Sequence, residues 1–488
     1  MKTRLALVAL SALAGCAGKI ADDATAGCIA GNRSQCVEQA ELGDRFACAR
    51  LHDHSVWCWG SNAESQLGYM TTDLCPMVLP NGQTQSVSCH TYPFQVPGLN
   101  SVTNLAAGRQ FACAVRADGG VWCWGSNSAG QLGNAGAPSS VTPTQVAGLG
   151  GVQAIALGAR HACALQDGAV LCWGADDRLQ LGVQNPSQIC ISPDGSTPCE
   201  TSPKQVMGLG HATAIAAGDA HTCAVMDDGS VACWGANDWG QLGGGAAGDP
   251  SSKPVAVKSG HVNPFASAVV AGIAHTCTLR DDGAVFCWGR ADHGELGVPP
   301  PSPTPDRCPG PCSPSPLQVV TLPNQPKLPP EAPTADGGAP PDMAMEPPDM
   351  AMPMELPDSG EAGDFAIAPD LAPVPVMGPP TPPTALSAGG SHTCVVVSDG
   401  TLRCWGSDDE DELGDGQRGP SMPPSAVIAQ PGAAHDNPLG GAKAVSAGVA
   451  STCALLADGS LRCWGSNLVG ALGEGDLAMP LGPVPVAW

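Results

Sequence analysis

The side chains with most chemistry in this chain of 488 residues are its 23 cysteines. Fourteen of them form seven pairs at one spacing: Cys48 with Cys58, Cys113 with Cys123, Cys163 with Cys172, Cys223 with Cys233, Cys277 with Cys287, Cys394 with Cys404 and Cys453 with Cys463. Partners stand ten residues apart (nine in the third pair), and the second always opens the triplet Cys-Trp-Gly. Thiols so placed either bridge to one another or bind zinc. Thiolate zinc sites favour closely spaced ligand pairs, and these pairs span a longer stretch. An oxidising compartment favours the bridge. Eight further cysteines fall into four local pairs, Cys28 with Cys36, Cys75 with Cys89, Cys190 with Cys199 and Cys308 with Cys312, which leaves Cys16 as the odd one out.

Other reactive types are sparse. His161, His221, His275 and His392 each precede the first cysteine of a pair by two residues, a spacing that could present a ring of metal ligands. Phe46, Phe111 and Ser451 hold the same position in the other three copies, so a packing or backbone-bonding role is expected instead. The acidic run Asp408–Glu412 could hold calcium, but it lacks the ligand spacing and glycine of an EF-hand loop, and a solvated acidic turn is expected. Met343, Met345, Met350, Met352 and Met354 could suit copper; without a cysteine or histidine among them they read as low-complexity sequence. No nucleophile elbow, phosphate-binding loop, His-Glu-x-x-His or paired-carboxylate signature is present. The expectation is therefore no catalytic residue, no metal and no cofactor.

The elements that must position the paired cysteines read as β-hairpins. With Cys113 opposite Cys123, Ala114 faces Trp122, Val115 faces Val121 and Arg116 faces Gly120, leaving Ala117-Asp118-Gly119 as a three-residue loop with glycine at the φ > 0 position. The shorter third copy closes equally well: Cys163 faces Cys172 and Gln166 faces Ala169 around a two-residue Asp167-Gly168 loop. The first copy has His52-Asp53-His54 and no glycine. Directly opposed cysteines on antiparallel strands lie within bridging range. After each Cys-Trp-Gly comes a turn ending in Gln-Leu-Gly or a variant, then a proline-marked strand, as at Pro93, Pro143, Pro203 and Pro316. Proline favours an edge. A further strand such as Val152–Leu157 leads into the next copy, giving about four strands per repeat, the content of a propeller blade.

The recurrence of A-G-x-x-[HF]-x-C, D-G, C-W-G and x-Q-L-G at matching offsets resembles the regulator of chromosome condensation family of seven-bladed propellers. The resemblance covers residues 37–320 and 384–488, and implies an all-β ring of seven four-stranded blades in which the two chain ends share a blade, here residues 37–42 with 483–486. The Cys-Trp-Gly tryptophans are expected to pack blade on blade, while Trp57, Trp122 and Trp239 are additional and could face a ligand. Copies one, three and five carry inserts (residues 69–91, 183–201 and 298–315), each with an extra cysteine pair. Equivalent insertion points place these stapled loops on one face, a plausible binding surface. Residues 321–383, rich in Pro, Asp, Glu, Ala and Met with a repeated Pro-Pro-Asp-Met-Ala-Met, are expected to be a disordered insert.

Residues 1–15 read as an export signal: Lys2 and Arg4, an apolar run from Leu5 to Leu13, then small residues. Leu13-Ala14-Gly15-Cys16 resembles a bacterial lipoprotein box, which implies lipidation at Cys16, a tether over residues 16–36, and attachment to a membrane, with Ala17 resembling an outer-membrane sorting signal. The net charge of −24, with only 21 Lys and Arg, argues against nucleic acid, whose phosphates need basic contacts. The nucleotide-exchange activity of the family's eukaryotic members acts on a nuclear GTPase that an exported chain would not meet. The reading is a monomeric, non-enzymatic scaffold for protein interaction or adhesion, its partner unnamed by the sequence. The alternatives are an inhibitor, as the resemblance to a propeller that blocks β-lactamases implies, and a lyase- or glycosidase-type propeller enzyme.

Overall fold

The hairpin register read from the sequence is the register of the molecule. In a computed structural model that describes residues 36–78, 84–134, 139–184, 186–192, 195–259, 261–263, 265–319, 383–433 and 437–488, Cys113 pairs with Cys123, Ala114 with Trp122 and Val115 with Val121. Gly119 takes φ 75° in the three-residue loop, and Arg116 N–H donates to Gly120 across it. In the shorter third copy Gln166 faces Ala169, and Asp167 and Gly168 both have positive φ, as a two-residue type I′ turn requires. The first copy keeps the three-residue geometry without glycine: His54 occupies the left-handed position at φ 63°.

Each hairpin is the middle of an antiparallel sheet. In the second copy the order is Val102–Ala107, Phe111–Arg116, Val121–Ser126 and Ser139–Gln145, the last being the proline-bearing edge. Seven such sheets follow one another. Seven clusters of buried side chains lie between neighbours, so each sheet is packed on both faces. Val115 and Val121 meet Ile155 and Trp173 between the second and third, and Val37 and Leu51 meet Leu455 and Val484 between the seventh and first. That last cluster closes the ring.

Closure differs from the expectation in one respect. The chain ends do not share a blade. Val37–Leu42 is the innermost strand of the first sheet, whereas Val484–Pro485 is the outermost strand of the seventh. Every blade is therefore contiguous in sequence, and the seam is held by side-chain packing and hydrogen bonds. Trp59 of the first blade donates its indole N–H to the Ala471 carbonyl of the seventh at 2.9 Å, and Trp488 meets Trp57 and Trp59 edge-on.

All seven hairpin pairs are disulfides between directly opposed residues, with Cα atoms 4.0–4.1 Å apart. Cys48 is bridged to Cys58, Cys113 to Cys123, Cys163 to Cys172 and Cys223 to Cys233. Cys277 is bridged to Cys287, Cys394 to Cys404 and Cys453 to Cys463, so the seven-fold pairing is the one expected. Cys75–Cys89, Cys190–Cys199 and Cys308–Cys312 are bridged as well. Cys36 is disulfide-bonded, and its expected partner Cys28 lies outside the described residues, as do Cys16, the export signal and residues 321–382 of the expected disordered insert. Among the described residues no helix is long and apolar enough to cross a membrane.

Two of the three inserts are not loops. Leu74–Val78 pairs with the first part of Thr84–Gln95, and Gln188–Ser192 with the first part of Gly195–Gln205, so blades one and three gain a fifth strand. The edge strand runs on past the blade and folds back, so the insert continues an existing ladder. The fifth-blade insert stays irregular until Cys312, where the edge strand Cys312–Gln318 begins.

Candidate functional site: blade seams and the insert-bearing face

The repeated motif is explained at the seams. Each Cys-Trp-Gly tryptophan is fully buried, and its indole N–H donates to the backbone carbonyl of the Gln-position residue in the preceding blade. Trp124 bonds Gln66, Trp173 bonds Gln131, Trp234 bonds Gln180, Trp288 bonds Gln241, Trp405 bonds Glu295 and Trp464 bonds Glu412, all at 2.8–3.0 Å. The turn that presents this carbonyl is built by the Asn and Gln side chains of Asn-x-x-Gly-Gln-Leu-Gly. Asn127 accepts from Leu132 N–H and Gln131 from Ala129 N–H. The cysteine just before each tryptophan (Cys123, Cys172, Cys233, Cys287 and Cys404, for example) is fully buried too. The bridges therefore belong to the interior of the blades and hold each tryptophan's strand in register.

The four histidines are joints between blades. His161 Nε2 meets Thr222 Oγ1 at 3.0 Å, His221 meets Thr276 at 2.9 Å, His275 meets Thr393 at 2.9 Å and His392 meets Thr452 at 2.8 Å. Thr222, Thr276 and Thr452 donate onward to the Gln180, Gln241 and Glu412 carbonyls, so their hydroxyls accept from a neutral imidazole protonated at Nε2. Burial pushes the imidazoles down, His161 and His392 to about 4, His221 and His275 to about 3. Two of the other three blades use an apolar pair instead: Phe46 packs with Ala112 of the second blade, and Phe111 with Ala162 of the third, while the seventh blade has Ser451 at this position. Histidine stands where the next blade offers threonine, and phenylalanine where it offers alanine. The packing role expected for this position is thus a side-chain bond to the next blade. A repeat-by-repeat comparison of the two positions carried that signal.

The glycine three residues before each of these positions lies on the ring's inner side. An added Cβ at Gly218 would overlap both the Gly272 carbonyl oxygen and His221 Cε1, so only glycine lets adjacent blades approach so closely. The inner strands line two axial cavities of about 100 and 120 Å³, well below the few hundred Å³ of an ordinary ligand pocket. Arg109 of the second blade and Asp219 of the fourth reach across one of them and pair at 2.9 Å.

The acidic turn in blade six departs from the expectation of a solvated one. Asp408 and Asp411 are at most 1 % exposed, and Glu412 and Asp415 are also buried. The cause is register: Asp408 replaces the turn asparagine and accepts from Leu413 N–H at 2.9 Å, while Glu412 replaces glutamine and accepts from Glu410 N–H. Burial, with neighbouring carboxylates adding to it, raises Asp408 to about 8 and Asp411 to about 7. A second polar group, Asp292, His293 and Glu295 in blade five, gathers three potential ligand atoms within 4.8 Å. Arg290 pairs with it, donating to Asp292 at 2.8 Å and standing 3.6 Å from Glu295.

The three inserts leave their blades at one equivalent point. Each is tied to the turn residue of its own blade by a backbone bond: Asn62 N–H to Ser88, Asp176 N–H to Pro198 and Ala291 N–H to Pro311. By the ring's repeat they rise from one face, on blades one, three and five, as expected. Leu74 (66 % exposed) stands on the first hairpin, beside Met70 (85 %), and Ile189 (61 %) and Ile191 (85 %) stand on the second. The sequence reading placed these loops but did not single out those side chains. Trp57, Trp122 and Trp239 are partly buried: Trp57 lies against Trp488, and Arg116 and Arg290 stack on Trp122 and Trp239 at 5.1 Å. All three are thereby occupied within the chain.

The geometry defines a seven-bladed β-propeller whose blades are cysteine-stapled hairpins joined by tryptophan–carbonyl bonds. The model of the RCC1-like domain matches residues 15–330, and that of the regulator of chromosome condensation (RCC1) repeat matches residues 384–412 and 442–471. The chain belongs to the RCC1-like propeller family. It is 31 % identical over 277 residues to human probable E3 ubiquitin-protein ligase HERC6, covering 55 % of this chain and 24 % of that protein. It is 33 % identical over 202 residues to the Arabidopsis thaliana ultraviolet-B receptor UVR8, covering 40 % of this chain and 42 % of the receptor. The chain thus spans less than half the length of either relative. Among solved structures, human WBSCR16 superposes with TM-score 0.63 at 19 % identity over 89 % of this chain and 94 % of that one. Yeast RCC1 (Prp20) bound to Kap60 superposes with TM-score 0.58 at 19 % identity over 85 % and 78 %. At such identity these two likenesses concern the fold.

Proposed function

We propose that this protein is an exported, lipid-anchored propeller that binds another protein through its insert-bearing face and carries out no catalysis itself. The observation behind this reading is the set of apolar side chains at Leu74, Ile189 and Ile191, held out in solvent on disulfide-bridged hairpins that extend the sheet. Large apolar residues displayed on rigid supports are the usual anchors of protein interfaces. The acidic composition, 45 Asp and Glu against 21 Lys and Arg, disfavours nucleic acid as the partner. Supporting export are the bridges, since disulfides form and persist in oxidising compartments, and the signal-like residues 1–15. The lipoprotein-like box and the odd cysteine count support a lipid at Cys16. Ubiquitin ligation, named for the HERC6 relative, is not carried over to a chain that spans 24 % of that protein.

Cross-linking and capture from the cell envelope of the producing organism test the reading. The triple variant Leu74→Asp, Ile189→Asp, Ile191→Asp should fold with an unchanged unfolding temperature, because these side chains pack against little, and should recover its partner at least about tenfold less well, hot-spot losses being about 1.4 kcal/mol or more. Undiminished capture would sink the face assignment. In the same cells, incorporation of a fatty-acid analogue should be lost in Cys16→Ala and the protein released from membranes. Labelling that survives that substitution would refute the anchor.

A further inference from the structure

Each of the seven sheets ends on an outermost strand, and such a strand offers its backbone edge to any other extended chain. Six of the seven hold proline there: Pro76 in the first blade, Pro143 in the second, Pro254 in the fourth, Pro316 in the fifth, Pro423 in the sixth and Pro485 in the seventh. Proline has no N–H to give, so it spoils a strand as a pairing template. The third blade is the exception. Its outermost strand, Gln188–Ser192, contains neither proline nor a charged residue.

That strand is also regular. It pairs with its inner neighbour through five consecutive residues, from Gln188 with Cys199 to Ser192 with Gly195, without the bulge that would twist an edge away. The Cys190–Cys199 bridge fastens it in place. Among the described residues no strand lies beyond it. Ile189 and Ile191 alternate with Cys190 and therefore share one face, where they are 61 % and 85 % exposed.

The strand is its own complement. Ile-Cys-Ile reads alike in both directions, so a second copy laid antiparallel with Cys190 beside Cys190 brings Ile189 of each copy opposite Ile191 of the other. Such β-branched cross-strand pairs are favourable. No like charges meet along this edge, although each chain carries a net charge of −24.

We propose that two copies of this chain pair antiparallel along Gln188–Ser192, joining their five-stranded third blades into one continuous sheet across a two-fold axis. The contact uses the single unguarded edge of each copy, so association closes at a dimer. Side chains stand perpendicular to a sheet, which leaves the four isoleucines side by side on one face as an apolar strip. The dimer is held by main chain and does not rest on the binding reading above; a protein partner would dock on the strip. A five-residue ladder is small beside the about 800 Å² per partner of a standard interface, so the association is a weak one.

Sedimentation equilibrium of the purified full chain with its bridges intact tests this, in about 0.15 M salt, where the Debye length is about 8 Å. Wild type should pass from monomer to dimer, and no further, as concentration rises from about 10⁻⁶ toward about 10⁻³ M, the range of weak complexes. The pair Ile189→Asp, Ile191→Asp sets like charges opposite one another about 5 Å apart and should dimerise at least about tenfold more weakly, with an unchanged circular dichroism spectrum. The pair Ile189→Thr, Ile191→Thr keeps an uncharged, β-branched edge and should dimerise within about threefold of wild type while losing its apolar anchors for a partner. Wild type that stays monomeric throughout would overturn the proposal and leave the partner reading standing. Equal dimerisation by the Asp pair would overturn it by placing the contact elsewhere. A loss in the Thr pair as large as in the Asp pair would do so by showing face-to-face packing of isoleucines, and species larger than a dimer by showing open-ended association.

Discussion

Once reduced and unfolded, the chain will not regain its sheet structure on dilution from denaturant while reductant is present; with an oxidising thiol buffer it will. The seven hairpin bridges close loops of nine or ten residues, and chain-entropy arguments give about 2–3 kcal/mol for each. Together that is roughly 15–20 kcal/mol, as large as the whole stability of an ordinary domain at about 5–15 kcal/mol. The blades have little in reserve. Their inner and hairpin strands are rich in alanine, as in Ala106, Ala112, Ala114, Ala162 and Ala164, which contribute little burial each, and the largest buried side chains are one tryptophan per blade and two phenylalanines. Circular dichroism after dilution, with and without reductant, checks this. Full recovery of the native spectrum in reductant would show that the packing alone specifies the ring.

The second large effect is a pH-dependent stability difference at one blade seam. His221 and Thr276 are compared with His221→Phe, Thr276→Ala and the double variant, which recreates the joint of Phe111 with Ala162 between the second and third blades. At pH 7 Thr276→Ala alone should cost about 1–3 kcal/mol, because it strands a buried Nε2–H. The double variant should recover most of that loss. The acid limb follows from the sign of the shift. His221 is pushed from 6.5 down to about 3 in the folded protein by burial, so between those values the unfolded chain binds a proton that the native one refuses. The histidine therefore contributes its full share of stability above pH 6.5, and that share falls as the pH is lowered toward 3. At about 1.4 kcal/mol per pH unit, the double variant should gain roughly 3 kcal/mol on wild type between pH 7 and pH 4.

Asp408, Asp411 and Asp176 are raised by burial and act in the opposite sense, stabilising at low pH and losing that contribution as the pH rises through about 8, 7 and 6. Being common to both proteins, they cancel in the comparison. Urea unfolding at pH 7, 5.5 and 4, with bridges intact, reads the difference directly. A gap between variant and wild type that stays constant across this range would mean that His221 is protonated in the native state, contrary to the joint described here.

What the sequence made legible was local. Hairpin register, the two loop lengths with their glycine positions, the bridged cysteines and the proline edge strands all depend on residues within about a dozen positions of one another, and the structure repeats them residue for residue. What it hid depends on neighbours a blade away. His161 meets Thr222 sixty-one residues on, and His275 meets Thr393 at a separation of 118, across the long insert. Only ring closure brings such pairs together. The hidden seam between Val37–Leu42 and the seventh blade has the same cause: a family resemblance suggested a shared blade, whereas packing of Leu42 and Ala47 against Leu455 and Val484 closes this ring between two complete ones. The acidic turn misled because charge alone says solvent. Its register, with Asp408 at the asparagine position and Glu412 at the glutamine position, says interior.

The account rests above all on the stapled hairpin as the repeating unit. Peptide mapping by mass spectrometry of the protein purified from its native source, alkylated before digestion and never reduced, measures this most directly. The prediction is one linked peptide for each pair from Cys48–Cys58 to Cys453–Cys463, with no alkylated thiol at any of those fourteen positions. Free thiols at those cysteines, or links joining one blade to another, would contradict it.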